Sequence, residues 1–173
     1  MSVQENRLGL VHRVLAGRGS LKEYAILVTD RRSVFVIQRQ SRNGFMLRTE
    51  IVSGTPGNTT LRPKTLEDYS GIAIGSLESE PQNLSIIHDS VKKLIIGIGG
   101  FFPVYHFHLN YTVDGRGEGQ VFYAVPLATY ETVSAQRPRE VILRDYAESI
   151  FRLYRQVLPT GIIDDAGLWD RKT

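Results

Sequence analysis

Tyr24-Ala-Ile-Leu-Val-Thr-Asp-Arg-Arg-Ser-Val-Phe-Val-Ile37 is the stretch on which the fold turns. Tyr24 to Thr29 and Ser33 to Arg39 are short runs rich in β-branched and aromatic residues, and polar Asp30-Arg31-Arg32 separates them. That pattern predicts two strands joined by a tight turn. Upstream, Leu8 to Leu15 is apolar at alternate and neighbouring positions and stops at Gly17 and Gly19, which predicts a preceding strand and turn. Downstream, from Ser41 to Pro81, Gly and Pro punctuate only short apolar stretches. Phe45 to Val52 alternates as a strand would, and Thr65-Leu-Glu-Asp-Tyr has the capping residue and acidic first turn of a helix start. A structureless loop of this length is rare inside a compact domain, so short helical turns are expected here.

Strand signal returns at Leu84 to His88 and Val91 to Ile98, interrupted by Asp89-Ser90. The cleanest alternation follows. Tyr105, Phe107, Leu109, Tyr111 and Val113 fall on one face, and His106, His108, Asn110 and Thr112 on the other, as a half-buried antiparallel strand requires. Asp114-Gly-Arg-Gly117 is a turn sequence, and Gln120 to Leu127 is the returning strand, with Pro126 placed at its end or on an edge. Between Pro138 and Pro159 the period changes to that of a helix: Leu143, Tyr146, Ala147, Ile150, Tyr154, Val157 and Leu158 form one apolar face. Glu140 with Arg144 and Glu148 with Arg152 are favourable i,i+4 pairs, and Pro159 with Gly161 ends the element.

Six or seven antiparallel strands and one helix with a single apolar face predict a mainly β, α+β domain, a curved sheet or small barrel capped by a C-terminal amphipathic helix. Its expected extent is residues 1–160, with a long irregular insertion at about 41–81 and a tail at 161–173. The 173 residues, 42% hydrophobic and 23% charged, suit one such domain, which needs no staple to fold. Absence of cysteine removes disulfide frameworks, thiolate metal sites and thiol nucleophiles. Neither the N-terminus nor the apolar stretch Leu94 to Tyr105 has the character of a signal or membrane-spanning segment, so a cytoplasmic protein, able to attach peripherally to a membrane, is expected.

Order and motif resemble the pleckstrin-homology-like (PH-like, GRAM-like) superfold in its bacterial and archaeal branch. Tyr24 to Val36 is similar to that family's strand, Thr-Asn/Asp-x-Arg turn and strand, and Ile86-Ile-His-Asp-Ser-Val-Lys-Lys-Leu-Ile-Ile is similar to its Ile-Pro-x-x-x-Ile-x-x-Ile strand entry. Two departures stand out: the long Ser41 to Pro81 segment, and a sequence around His88 to Ser90 without the proline. The paired Lys/Arg-x-Arg of phosphoinositide-binding members is absent from the second strand. The resemblance implies a non-catalytic binding or scaffold domain, and no GxSxG, P-loop or metal triad argues for an enzyme.

Charge is uneven. Met1 to Lys64 holds 11 Lys or Arg against 4 Asp or Glu, and Thr65 to Thr173 holds 10 against 14, so the two parts carry +7 and −4. Arg13, Arg18, Lys22, Arg31 and Arg32 are therefore the candidate contact for an anionic partner through the basic N-terminal hairpin. Lys92 and Lys93 with Phe101 and Phe102 are a candidate membrane or partner loop, against the alternative that the two Phe plug one end of the core. His106 and His108 are a weak two-ligand metal candidate with no evident third ligand, and no cofactor is expected. The expected partners are a protein, which includes self-association around Leu168 and Trp169, or an anionic lipid surface. No aromatic platform or recognition helix for nucleic acid is found. The competing reading is a small β-barrel that encloses an apolar small molecule between the Val121 to Val125 and Tyr105 to Val113 faces.

Overall fold

The computed structural model describes residues 5–16, 21–41, 64–101, 104–113, 120–124 and 139–164. The strands are β1 (Arg7–Ala16), β2 (Leu21–Thr29), β3 (Arg32–Ser41), β4 (Leu84–Ile87), β5 (Val91–Phe101), β6 (Val104–Val113), β7 (Gln120–Ala124) and β8 (Ile163–Asp164). Among the described residues two α-helices accompany them, α1 (Ile74–Ser79) and α2 (Arg139–Tyr154). The strands form one sheet in the order β4-β3-β2-β1-β7-β6-β5-β8. Every neighbouring pair is antiparallel except β5 with β8, which is parallel. Two four-stranded halves thus meet at β1 and β7, where Val14↔Ala124 and Leu15↔Tyr123 pair among the described residues.

Of the expected curved sheet or small barrel, a sheet forms and a closed barrel does not. Among the described residues β4 and β8 stand at its two ends and do not pair, so the ladder does not close. The eighth strand comes from the segment expected to be tail: after α2, Ile163 pairs with Leu94 and Asp164 with Ile95.

The hairpin motif forms as expected, but β2 is buried on both faces. Tyr24, Ile26 and Val28 enter the main core, while Leu27, with Val34 and Val36 of β3, enters a second cluster on the opposite face. A strand covered twice reads as a continuous apolar run rather than an alternation, which is the pattern of Tyr24 to Val28. The second cover comes from the irregular insertion. Among the described residues it contributes buried Tyr69, in the 3-10 turn Glu67–Tyr69, and Leu77 of α1. The expected Thr65 helix start is corrected to this short 3-10 turn, whose N-cap is Leu66 with no side-chain cap bond; the Thr65 N–H and hydroxyl instead both donate to Asp68 Oδ2, at 2.6 and 3.1 Å. Phe45 to Val52, the Asp114 to Gly117 turn, Pro126 and Trp169 lie outside the described residues.

The main core is filled with rings where the sheet halves meet. Phe35 lies 4.3 Å from Phe122 and 5.9 Å from Tyr111, centroid to centroid, and Tyr111 lies 5.9 Å from Phe122. Helix α2 covers them with Ala147, Ile150 and Tyr154, and Leu158 follows in the turn that ends it. The predicted Glu148–Arg152 pair is present at 3.2 Å. The helix approaches β1 at Gly9, where an added Cβ would lie 2.7 and 2.9 Å from the two Leu153 methyl carbons. The close atoms are the far end of a flexible, partly buried side chain, so a methyl at position 9 fits only if Leu153 turns aside.

Gly9→Ala is expected to destabilise the fold by about 1 kcal/mol or less, the cost of turning the Leu153 methyls aside. In a Leu153→Ala background the same change should cost clearly less, because the opposing methyls are gone. Urea denaturation of the four-member cycle checks this, and additive costs would refute the contact.

Candidate functional site

The basic residues of the N-terminal hairpin divide between the two ends of the sheet. Arg31 and Arg32 follow the Thr29–Asp30 end of β2, whereas Lys22 is near its start, about 23 Å away at ~3.3 Å per residue. Five candidates adjacent in sequence are therefore not one patch. Arg18 lies outside the described residues.

At the β2–β3 turn, buried Thr29 organises the chain. Its hydroxyl accepts from the Arg31 and Arg32 N–H groups at 3.2 and 3.0 Å and sits against the Glu5 carboxylate. Asp30 is bracketed by Asn6, whose side-chain amide donates to Asp30 Oδ2 at 3.0 Å. Arg32 is consumed internally: its Nε lies 3.1 Å from Glu5, and a terminal nitrogen lies 2.6 Å from Glu78 of α1. Arg7 donates to the Ile72 carbonyl. Both arginines thus fasten the insertion to the sheet. Arg31 is exposed, but Asp30 and Asp89 share its end of the sheet.

The opposite end differs. Arg13 occupies a bulge between Val11 and Val14, with φ at 50°, the one left-handed non-glycine residue among those described. Lys22 pairs with Ala16, about 10 Å further along β1. Among the described residues neither has a carboxylate partner. Arg39, at the same end, is tied to Glu23. Arg13 also lies on the α2 side of the sheet: burial raises the pKa of the Tyr146 phenol, and the charge of Arg13 partly offsets that rise.

The loop candidate is likewise divided. Lys92 and Lys93 open β5 and Phe101 ends it, roughly 26 Å along the strand at ~3.3 Å per residue. Lys93 pairs with Asp164 at 3.0 Å. Phe101 stands opposite Val104 at the end of the β5–β6 hairpin, and Phe102 lies outside the described residues. His106 and His108 occupy successive alternate positions of β6, opposite Gly99 and Gly97. Among the described residues no group of three potential ligands is placed to hold a metal ion, and no helix is long and apolar enough to cross a membrane.

A buried polar chain was not anticipated from the sequence. Ser33 Oγ lies 3.0 Å from His88 Nε2 and 3.2 Å from the Tyr154 hydroxyl, which in turn contacts the Tyr111 hydroxyl. Ser33, Tyr154 and Tyr111 are fully buried and His88 nearly so. A neutral imidazole has one donor and one acceptor nitrogen, so one direction uses every hydroxyl proton: Tyr111 donates to Tyr154, Tyr154 to Ser33, and Ser33 to Nε2. His88 then carries its proton on Nδ1, which has no partner at hydrogen-bond geometry. The Asp30 carbonyl acts on the ring as a dipole. Burial dominates and lowers the His88 pKa to about 4, against the opposing pull of Asp89 and Asp30. A serine–histidine contact can activate a nucleophile, but this serine is sealed inside and presents no oxygen to a substrate. What the chain does is join β3, the turn after β4, β6 and α2. The sequence signal was slight: a single His between apolar runs, with partners as distant as Ser33 and Tyr154.

No protein-family model, no curated protein and no solved structure matches the chain.

Two outcomes follow. The unfolded state takes up a proton at His88 near pH 6.5 and the folded state only near 4, so stability is complete above pH 6.5 and falls as pH drops through that window. The loss is about 3 kcal/mol at ~1.4 kcal/mol per pH unit, and urea titrations of His88→Gln should show a flatter profile from pH 6.5 to 4. Arg13→Gly should be more stable than Arg13→Ala by roughly 1 kcal/mol, because glycine adopts the left-handed bulge without strain. Equal melting temperatures for the two variants would contradict that.

Proposed function

We propose that the chain is a non-catalytic, PH-like binding module that docks reversibly on an anionic membrane surface through the β1–β2 end of its basic hairpin. The observation that carries the reading is the selective pairing of charge. Arg32, Arg39 and Lys93 are each tied to a carboxylate; among the described residues Arg13 and Lys22 have none and share one end of the sheet, whereas Arg31, also without an ion pair, shares its end with Asp30 and Asp89. Arg13 is moreover held in a costly backbone conformation, the kind of strain that tends to gather at binding sites. The antiparallel sheet with α2 across its core supports the PH-like assignment. On this reading the protein works on the cytoplasmic face of a membrane.

The apolar-ligand alternative fares less well on the same structure. Leu109, Tyr111 and Phe122, which would have lined the cavity, are buried against one another, Phe35 and α2.

Co-sedimentation with phosphatidylserine-containing and neutral vesicles tests the proposal. Binding is expected only to the anionic vesicles and should fall with salt. Arg13→Gln with Lys22→Gln should weaken it about 30-fold, at ~1 kcal/mol per cation near an anionic bilayer. Arg31→Gln, at the other end of the sheet, should leave it unchanged. Absence of sedimentation, or an equal loss from Arg31→Gln, would overturn the reading and favour a protein partner.

A further inference from the structure

The open edge of the sheet at β4 stands apart from the anionic-surface reading. Among the described residues the exposed large apolar side chains are Ile72, Leu84 and Ile87, and two of these belong to this four-residue strand. Among the described residues its outer side meets no other strand. The His88 N–H donates to the Arg31 carbonyl at 2.8 Å, while Ile86 stands opposite Ser33 and Leu84 opposite Phe35. By the alternation of an antiparallel ladder, positions 84, 86 and 88 turn their backbone groups toward β3, and Ser85 and Ile87 turn theirs outward. The Ile87 carbonyl also accepts from Ser90 Oγ at 2.7 Å, which leaves its second lone pair free.

We propose that this edge pairs with a second copy of the chain, antiparallel, about a two-fold axis at Ile86. A two-fold axis normal to the sheet keeps each face on its own side and sets Ile86 against the partner's Ile86. Ser85 then stands opposite the partner's Ile87, and the two exchange both N–H···O bonds. Symmetry repeats the exchange. Leu84 falls beside the partner's His88 on the core side, so each of the two exposed apolar side chains lies against the neighbouring strand instead of water.

Charge selects a second copy over an unrelated extended peptide. Exposed Arg31 lies at one end of the edge and exposed Glu80 at the other, and neither has an ion-pair partner among the described residues. Glu80 opens a tight turn closed by the Asn83 N–H on its carbonyl at 3.0 Å, which keeps the carboxylate near the start of β4. Antiparallel self-pairing brings each Arg31 toward the partner's Glu80, and the symmetry supplies the pair twice. Asp89, exposed at the Arg31 end, opposes the partner's Glu80. So short an edge gives a weak, concentration-dependent dimer.

Sedimentation velocity of the full chain from low micromolar to near-millimolar concentration tests this, with a circular-dichroism melt of every variant as the folding control. The wild-type mass should rise toward that of two chains. Ile87→Pro should remain at the mass of one chain and keep its fold, because φ at Ile87 is −72°, proline's own value, and the N–H removed faces outward. Ile87→Lys is the second edge variant. Arg31→Glu should weaken association at least tenfold, Arg31→Glu with Glu80→Arg should restore it, and Asp89→Asn should tighten it. A wild type that stays at one chain throughout, or folded Ile87 variants that associate like it, would overturn the proposal. Failure of the charge swap to restore association would overturn the two-fold register.

Discussion

Burial of β2 on both faces is the constraint from which most of the architecture follows. A strand with Tyr24, Ile26 and Val28 on one side and Leu27 on the other has no face to offer water. One cover alone would leave either set exposed, so the chain has to supply two. The first is the ring-filled core under α2. The second is the segment carrying Tyr69 and Leu77, which would be a costly excursion if it packed on nothing. Its attachment is polar at the rim and apolar at the centre. Arg32 holds Glu78, Arg7 holds the Ile72 carbonyl, and Asn83 both accepts from the Ile37 N–H at 2.8 Å and donates to the Leu77 carbonyl at 2.8 Å. Asn83 thereby satisfies a β3 backbone donor beyond the end of β4.

The elements legible in the sequence are those whose burial is periodic. Helix α2 has one covered face, and Leu109, Tyr111 and Val113 of β6 are turned toward the core, so period alone locates them. The hairpin was legible for a different reason, its composition and the polar turn between two apolar runs. The same apolar runs concealed that the outer face of β2 is covered, because a continuous run does not say what covers it. Closure is not legible in the sequence for a related reason. Strand count and curvature are compatible with a barrel or an open sheet, and only the pairing of β8 with β5, away from β4, decides between them. Two residues beyond a helix carry almost no strand signal, and Ile163-Asp164 is held by its parallel partner and by Lys93 against Asp164.

Charge shows the same gap between sequence and space. The first part of the chain is basic and the second acidic, yet the fold brings the parts together: Glu78 neutralises Arg32, and Asp164 pairs with Lys93. The residues left over need not be neighbours. β2 is long enough to put Lys22 and Arg31 beyond effective mutual interaction at physiological salt, where the Debye length is ~8 Å. A cluster of basic residues in a hairpin sequence therefore becomes a site only if the strand between them is short or the charges lie at one end, and among the described candidates Arg13 and Lys22 meet that condition.

The Tyr111–Tyr154–Ser33–His88 chain has a different part from either core. Buried polar groups contribute modest net stability at best, but an incomplete set is expensive, because each unpaired hydroxyl loses its water without replacement. That asymmetry fixes register. A one-residue slip of β3 would turn Ser33 out of the core. A rotation of α2 would withdraw Tyr154, and either change would strand the other hydroxyls in an apolar surround. Apolar contacts among Ala147, Ile150 and the aromatic rings tolerate small shifts of the helix along the sheet, whereas hydrogen bonds at 3.0 and 3.2 Å tolerate them poorly. The rings thus supply most of the adhesion between helix and sheet, and the hydroxyl chain sets where on the sheet the helix rests.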